Sequence, residues 1–122
     1  VDPGEEEILA AHNIRTVRMP EIREKGIELC ARELLDAVKT PYIHLSFDVD
    51  FLDAGEFWAT GLPIPDGPSV EEAHQVIRTL FGDPRVCSAD FVEYSPLHDT
   101  DGSGLSTCLS LLQEILDALP KE

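Results

Sequence analysis

The stretch "YIHLSFDVDF", residues 42–51, decides the fold. Its first part is the apolar run of a strand, and it ends on two aspartates separated by one residue. Two like charges at the end of such a segment repel, and desolvating them is unfavourable unless something positive meets them. A strand alternates faces with period two. Asp48 and Asp50 are therefore expected on one side, with His44 and Ser46 further back on it, while Ile43, Leu45 and Phe47 turn toward apolar packing. Oxygen donors of this kind suit a hard divalent cation.

Working outward, the strand at 42–50 is followed by "FLDAGEFWATGLPIPDGP" (51–68), a Gly- and Pro-rich segment too long for a passive connection. Ser69 with Glu72 forms a capping-box pattern that opens a helix from residue 70. "RVCSADFVEYS" (85–95) reads as a second strand, with Glu93 near its carboxyl end. "PLHDTDGSG" is a loop, and "LSTCLSLLQEILDAL" is an amphipathic helix ended by Pro120. Upstream, "VDPGEEEILAAHNI" predicts a turn and a short helix with Glu5, Glu6 and Glu7 in its first turn. Residues 14–19 suggest a short strand, and Pro20 starts a helix that runs to Val38. Strands alternating with helices predict an α/β fold with a parallel sheet, helices covering both faces. Ligands bind at the carboxyl ends of strands in such sheets, and adjacent parallel strands would bring Glu93 to the two aspartates.

The bulk numbers set limits. A chain of 122 residues with 43% hydrophobic content fits one domain or part of one. With 24 acidic and 9 basic residues the formal net charge is −15. That field disfavours nucleic acid and anionic membranes and favours cationic partners. The three cysteines, Cys30, Cys87 and Cys108, form no CxxC pair; each reads as a small core residue, and the set fits a reducing, cytoplasmic setting. No apolar run reaches the roughly 18 residues a membrane helix needs.

In series, "HLSFDVDFLD", "ATGLPIPDG" and "ADFVEYSP" resemble the ureohydrolase superfamily of arginase, agmatinase and formimidoylglutamase, and "VDPGE" resembles its arginase branch. The resemblance implies a three-layer αβα fold, of which residues 1–122 would be the C-terminal part of a single domain, the N-terminal part being absent. It implies a binuclear Mn2+ centre with Asp48 and Asp50 as metal ligands. Glu93 would hold the substrate guanidinium at the reacting group, and Asp2 and Glu5 would lie near the substrate α-amino group. Asp53 and Thr60 would support the loop. The implied reaction is hydrolysis of arginine to ornithine and urea on a cationic guanidino substrate, with agmatinase and formimidoylglutamase as alternatives, and a homo-oligomer for the complete enzyme. The sequence departs from the pattern at Ala54, at Leu62 and at Asp66-Gly67. The family's GGDH and DAHxD stretches are not in it, so half of the metal ligands would lie outside this chain, which would then be inactive alone. Of the histidines, His44 reads as buried and hydrogen-bonded, His74 as a surface or groove residue and His98 as near the site; Trp58 reads as a loop anchor in preference to a pocket wall. Two other classes remain open: a non-catalytic binding or structural module, and an aspartyl-nucleophile phosphatase.

Overall fold

The computed structural model describes residues 2–61 and 65–119. Leu62 and Pro120, singled out above, lie outside the described residues. Helix α1 (Pro3–Ala11) begins on a capping box in which Asp2 accepts from the Glu5 amide and Glu5 accepts from the Asp2 amide. It buries no residue. Residues 14–18, expected as a strand, pair with nothing in the sheet and lead directly into α2 (Met19–Lys25). The long helix expected from Pro20 to Val38 is two helices. Gly26 adopts φ +87, a left-handed conformation open to glycine, and breaks the run before α3 (Ile27–Ala37). Ile27, Cys30, Ala31 and Leu35 form the buried face of α3 at helical spacing.

Strand β1 (Ile43–Asp48) and strand β2 (Val86–Val92) form a parallel pair, joined through α4 (Val70–Phe81) as the crossover helix. The Ser69–Glu72 capping box starts α4 where the sequence placed it. Helix α5 (Ser103–Ala118) closes the described chain. α4 packs on both α3 and α5. This helical layer and one face of the sheet enclose a core that includes Phe47, Val49, Leu52, Phe57, Ile77, Leu111 and Ile115. Phe47 stacks on Phe91 across the strands, with ring centroids 5.6 Å from Phe51 and 5.4 Å from Phe91.

Helices cover only one face of the sheet among the described residues. The other presents His44, Ser46, Ser88, Asp90 and Val92 to solvent. The alternation expected along β1 is therefore real, but its polar side is open. Cys30 and Cys108 are buried as expected, whereas Cys87 is exposed.

The segment after β1 is a packed element. The Asp53 amide donates to the Pro68 carbonyl at 2.8 Å, which closes the segment on itself. Phe57, Ala59 and Thr60 are buried. At Gly67 a Cβ would meet the Phe51 carbonyl oxygen at 2.5 Å, so the two ends of the segment approach as closely as glycine permits. No helix among the described residues is long and apolar enough to cross a membrane.

Candidate functional site

Strand β1 stops at Asp48, one turn earlier than the sequence pattern implied, and Val49–Phe51 form a turn of 3-10 helix. Asp48 caps this turn: its carboxylate accepts the Asp50 amide at 3.0 Å. Asp50 is therefore brought beside Asp48 by the turn, not by strand periodicity. Val49 points the other way and is fully buried, which fixes the turn on the core. The sequence reading assumed two more strand residues because DVD continues the alternation; the local bond from side chain to backbone won.

The Asp50 carboxyl is pushed up to about 6, first by burial, then by its hydrogen bond to Asp48 and by the charges of Asp48 and Glu93. Among the described residues no Lys, Arg or His hydrogen-bonds to Asp48, Asp50 or Glu93. The three acids thus share one electrostatic neighbourhood without an internal cation.

Glu93 follows the last residue of β2 and adopts φ +76, uncommon for a residue with a side chain. Its backbone leaves the strand direction at the level of the β1 tip, since Asp48 pairs with Val92. The strand expected over 85–95 thus ends at Val92, and the kink at Glu93 redirects its side chain. Backbone strain of this kind, about 1–3 kcal/mol, concentrates at functional positions.

The neighbouring loops are tied together. The Ser95 amide donates to the Ala59 carbonyl at 2.6 Å, and the Trp58 indole donates to the Thr100 hydroxyl at 3.3 Å, which makes Trp58 a loop anchor as expected. His98 lies in the turn Pro96–His98, with Nδ1 2.6 Å from the Ser95 hydroxyl. Asp53 accepts the Gly55 amide at 3.2 Å and so holds the turn after the aspartates. Asp66, where the sequence pattern has glycine, takes φ +59, a conformation aspartate tolerates better than most residues.

Other expectations fall differently. Asp2 and Glu5 cap α1, and neither bonds to Asp48, Asp50 or Glu93 among the described residues. His44 is hydrogen-bonded but half exposed, not buried. His74 is wedged between α4 and α5, bonded to Glu114 at 3.1 Å and Ser110 at 3.0 Å. Asp90, passed over in the sequence, accepts from Ser46 at 2.6 Å and lies 3.1 Å from His44 Nε2. The period-two polar positions of "SADF" could have pointed to it.

The donors at the β1 tip suit a hard divalent ion in kind, all being carboxylate oxygens. They fall short in number: among the described residues no group of three His, Cys, Asp or Glu side chains is placed to hold a metal. The chain supplies a two-carboxylate corner with a third acid nearby.

The profile described as the arginase family matches residues 1–117. An arginase from Brucella melitensis is 33% identical over 118 residues, covering 95% of this chain and 39% of the relative. The crystal structure of an arginase from Bacillus subtilis superposes with a TM-score of 0.87 at 29% identity, covering 94% of this chain and 41% of the other. A formimidoylglutamase from Bacillus subtilis gives 0.90 at 26%, covering 96% and 37%. The chain spans about two-fifths of the length of the relatives it matches.

Proposed function

This chain belongs to the arginase family, and from that premise we propose that it forms the C-terminal part of a metal-dependent amidine hydrolase acting on a guanidino substrate, with arginine as the first candidate. The observation that carries this reading is the acid group at the paired strand ends, where Asp48, bonded to the Asp50 amide, pairs with Val92 beside Glu93 and no Lys, Arg or His bonds to the three acids among the described residues. Asp48 and Asp50 would hold Mn2+ through carboxylate oxygens, the remaining ligands coming from outside the described residues. When bound, the metal would supply a water of lowered pKa, able to act as a nucleophile at neutral pH.

The chain's own residues would do the rest. Glu93, turned by its backbone kink, would offer a planar carboxylate to the planar guanidinium, whose charge is permanent and whose N–H groups match two oxygens at once. Asp48, bonded to the Asp50 amide, would keep the two ligands in fixed relation. The 53–61 segment, tied to the 95–100 loop, would keep water out of the space between them and orient the substrate. Asp2 and Glu5 have a capping role that accounts for both side chains, and a contact with the substrate α-amino group would have to compete with it.

The test is to add Mn2+ to the complete protein, offer arginine, agmatine and formimidoylglutamate separately, and measure urea or formamide. Urea from arginine alone supports the reading. Formamide from formimidoylglutamate moves the substrate to the second relative, and no product from any of the three leaves a binding module as the function.

A further inference from the structure

On the open face of the sheet, β1 and β2 begin in one register and finish in another. Ile43 pairs with Val86, but His44 pairs with Ser88, so Cys87 is an extra residue on β2. From there Ser46 pairs with Asp90 and Asp48 with Val92. Without the bulge Ser46 would face Ala89, and Phe47 would face Asp90. Paired residues in a parallel ladder point to the same side, so Asp90 would then be driven toward the apolar layer beside Phe47, and Glu93 would lie one residue, about 3.3 Å, further from Asp48.

Asp90 is bonded in a way that selects the bulged register. Its Oδ1 accepts from the Ser46 hydroxyl at 2.6 Å, and its Oδ2 lies 3.1 Å from His44 Nε2. The other imidazole nitrogen of His44 lies 2.8 Å from the Ser88 hydroxyl, on the residue that follows the bulge. Both carboxylate oxygens of one β2 residue are thus held by two β1 residues on the same face. The Asp90 carboxyl sits below the ordinary aspartate range because of the Ser46 and His44 bonds.

We infer that Asp90 is a positioning residue: by clamping Ser46 and His44 across the bulge at Cys87, it fixes the strand register that sets Glu93 beside Asp48 and Asp50. The clamp is half exposed, and exposed pairs contribute little to stability. It acts together with the apolar alternation that stacks Phe47 on Phe91, which favours the same pairing. The inference rests on the proposed function only for its catalytic consequence; the register itself does not depend on any metal.

The test is NMR on the isotope-labelled full chain, with Asp90→Ala, Asp90→Asn and Ser46→Ala. The unsubstituted chain is expected to show cross-strand contacts pairing Asp48 with Val92. Asp90→Ala is expected to lose that contact together with the Phe47–Phe91 contact, while keeping the Ile43–Val86 contact that precedes the bulge, and Ser46→Ala to lose them in part. Asp90→Asn keeps one oxygen acceptor for Ser46 and is expected to preserve the pairing better than Asp90→Ala. Titration with Mn2+ should broaden Asp48, Asp50 and Glu93 signals together in the unsubstituted chain. The inference is overturned if Asp90→Ala and Ser46→Ala both keep the Asp48–Val92 contact, or if the unsubstituted chain lacks it. Failure of Mn2+ to broaden any of the three acids counts against the metal assignment instead, since the contact pattern is measured without metal.

Discussion

Under the proposed function, Glu93 would serve chemistry against its own conformational preference. A left-handed backbone costs a side-chain-bearing residue about 1–2 kcal/mol, whereas glycine there would forgo that penalty and add about 0.5–1 kcal/mol of lost chain entropy. Glu93→Gly should therefore unfold at the same temperature as the parent or slightly above it, and should lose guanidinium binding. Thermal unfolding set beside arginine binding checks both halves, and a marked drop in unfolding temperature would show that the Glu93 side chain is structural. Asp50 poses the related question for charge: it is pushed up to about 6 by burial and by neighbouring acids, an arrangement that weakens the apo protein. What the sequence revealed at this scale was residue type and order. It placed Asp48, Asp50 and Glu93 together because parallel strands carry their carboxyl ends to one edge. It did not reveal that Asp48 caps a turn, that Glu93 kinks, or that Asp90 bridges the strands, since each depends on backbone torsion or a cross-strand register that one-dimensional periodicity does not encode.

At the scale of elements, start signals were legible and breaks were not. Ser69 and Glu72 announced α4 because capping is local chemistry; Gly26 split a continuous apolar pattern that both halves satisfy, and so went unseen. Helix α5 has a start no spacing rule suggested. Asp99 accepts the Gly104 amide through Oδ1 and the Leu105 amide through Oδ2, each at 2.9 Å, and the Tyr94 hydroxyl donates to it at 2.7 Å. These bonds, the Tyr94 hydroxyl first, hold the Asp99 carboxyl below its usual range, while Tyr94 is pushed up to about 12. The folded form thus binds fewer protons at Asp99 than the unfolded chain does. The Asp99 contribution is complete above the ordinary aspartate pKa of about 4 and is lost as pH falls through the depressed folded value. For Tyr94 the folded form holds its proton longer, so stability falls between about pH 10 and pH 12. Urea unfolding of the parent and of Asp99→Asn across pH 2–7 should give curves that differ near neutrality and converge at the acid end. The 51–68 segment has its own weak point at Gly67. A methyl there would press on the Phe51 carbonyl and the Asp53 amide, both backbone atoms with little room to yield. Gly67→Ala should cost about 1–3 kcal/mol in the same urea measurement, and because Phe51 ends the turn that carries Asp50, Mn2+ affinity should fall with it.

For the whole molecule the governing quantity is the net charge of −15 on 122 residues. Self-repulsion of that size destabilises the compact state, and salt relieves it as the Debye length shrinks from about 30 Å at 0.01 M to about 10 Å at 0.1 M. The unfolding temperature should therefore rise with NaCl over that range. Mn2+ should do more than its ionic strength predicts if the acid corner binds it, because a ligand held by the folded state alone adds stability in proportion to the logarithm of its concentration over its dissociation constant. The two effects separate by mutation. Asp48→Ala relieves Asp50 of a neighbouring like charge but also removes the acceptor of the Asp50 amide, so its test is the response to ions: it should keep the whole NaCl response while losing the Mn2+ increment. Asp50→Ala should behave alike. Were the Mn2+ increment to survive in both variants, the ion would be held by acids scattered over the surface, and the paired strand ends would have no claim to it. Were it to vanish in both while the NaCl response stayed intact, a site that weakens the apo chain would have been shown to be stabilised by the ion it is built to hold.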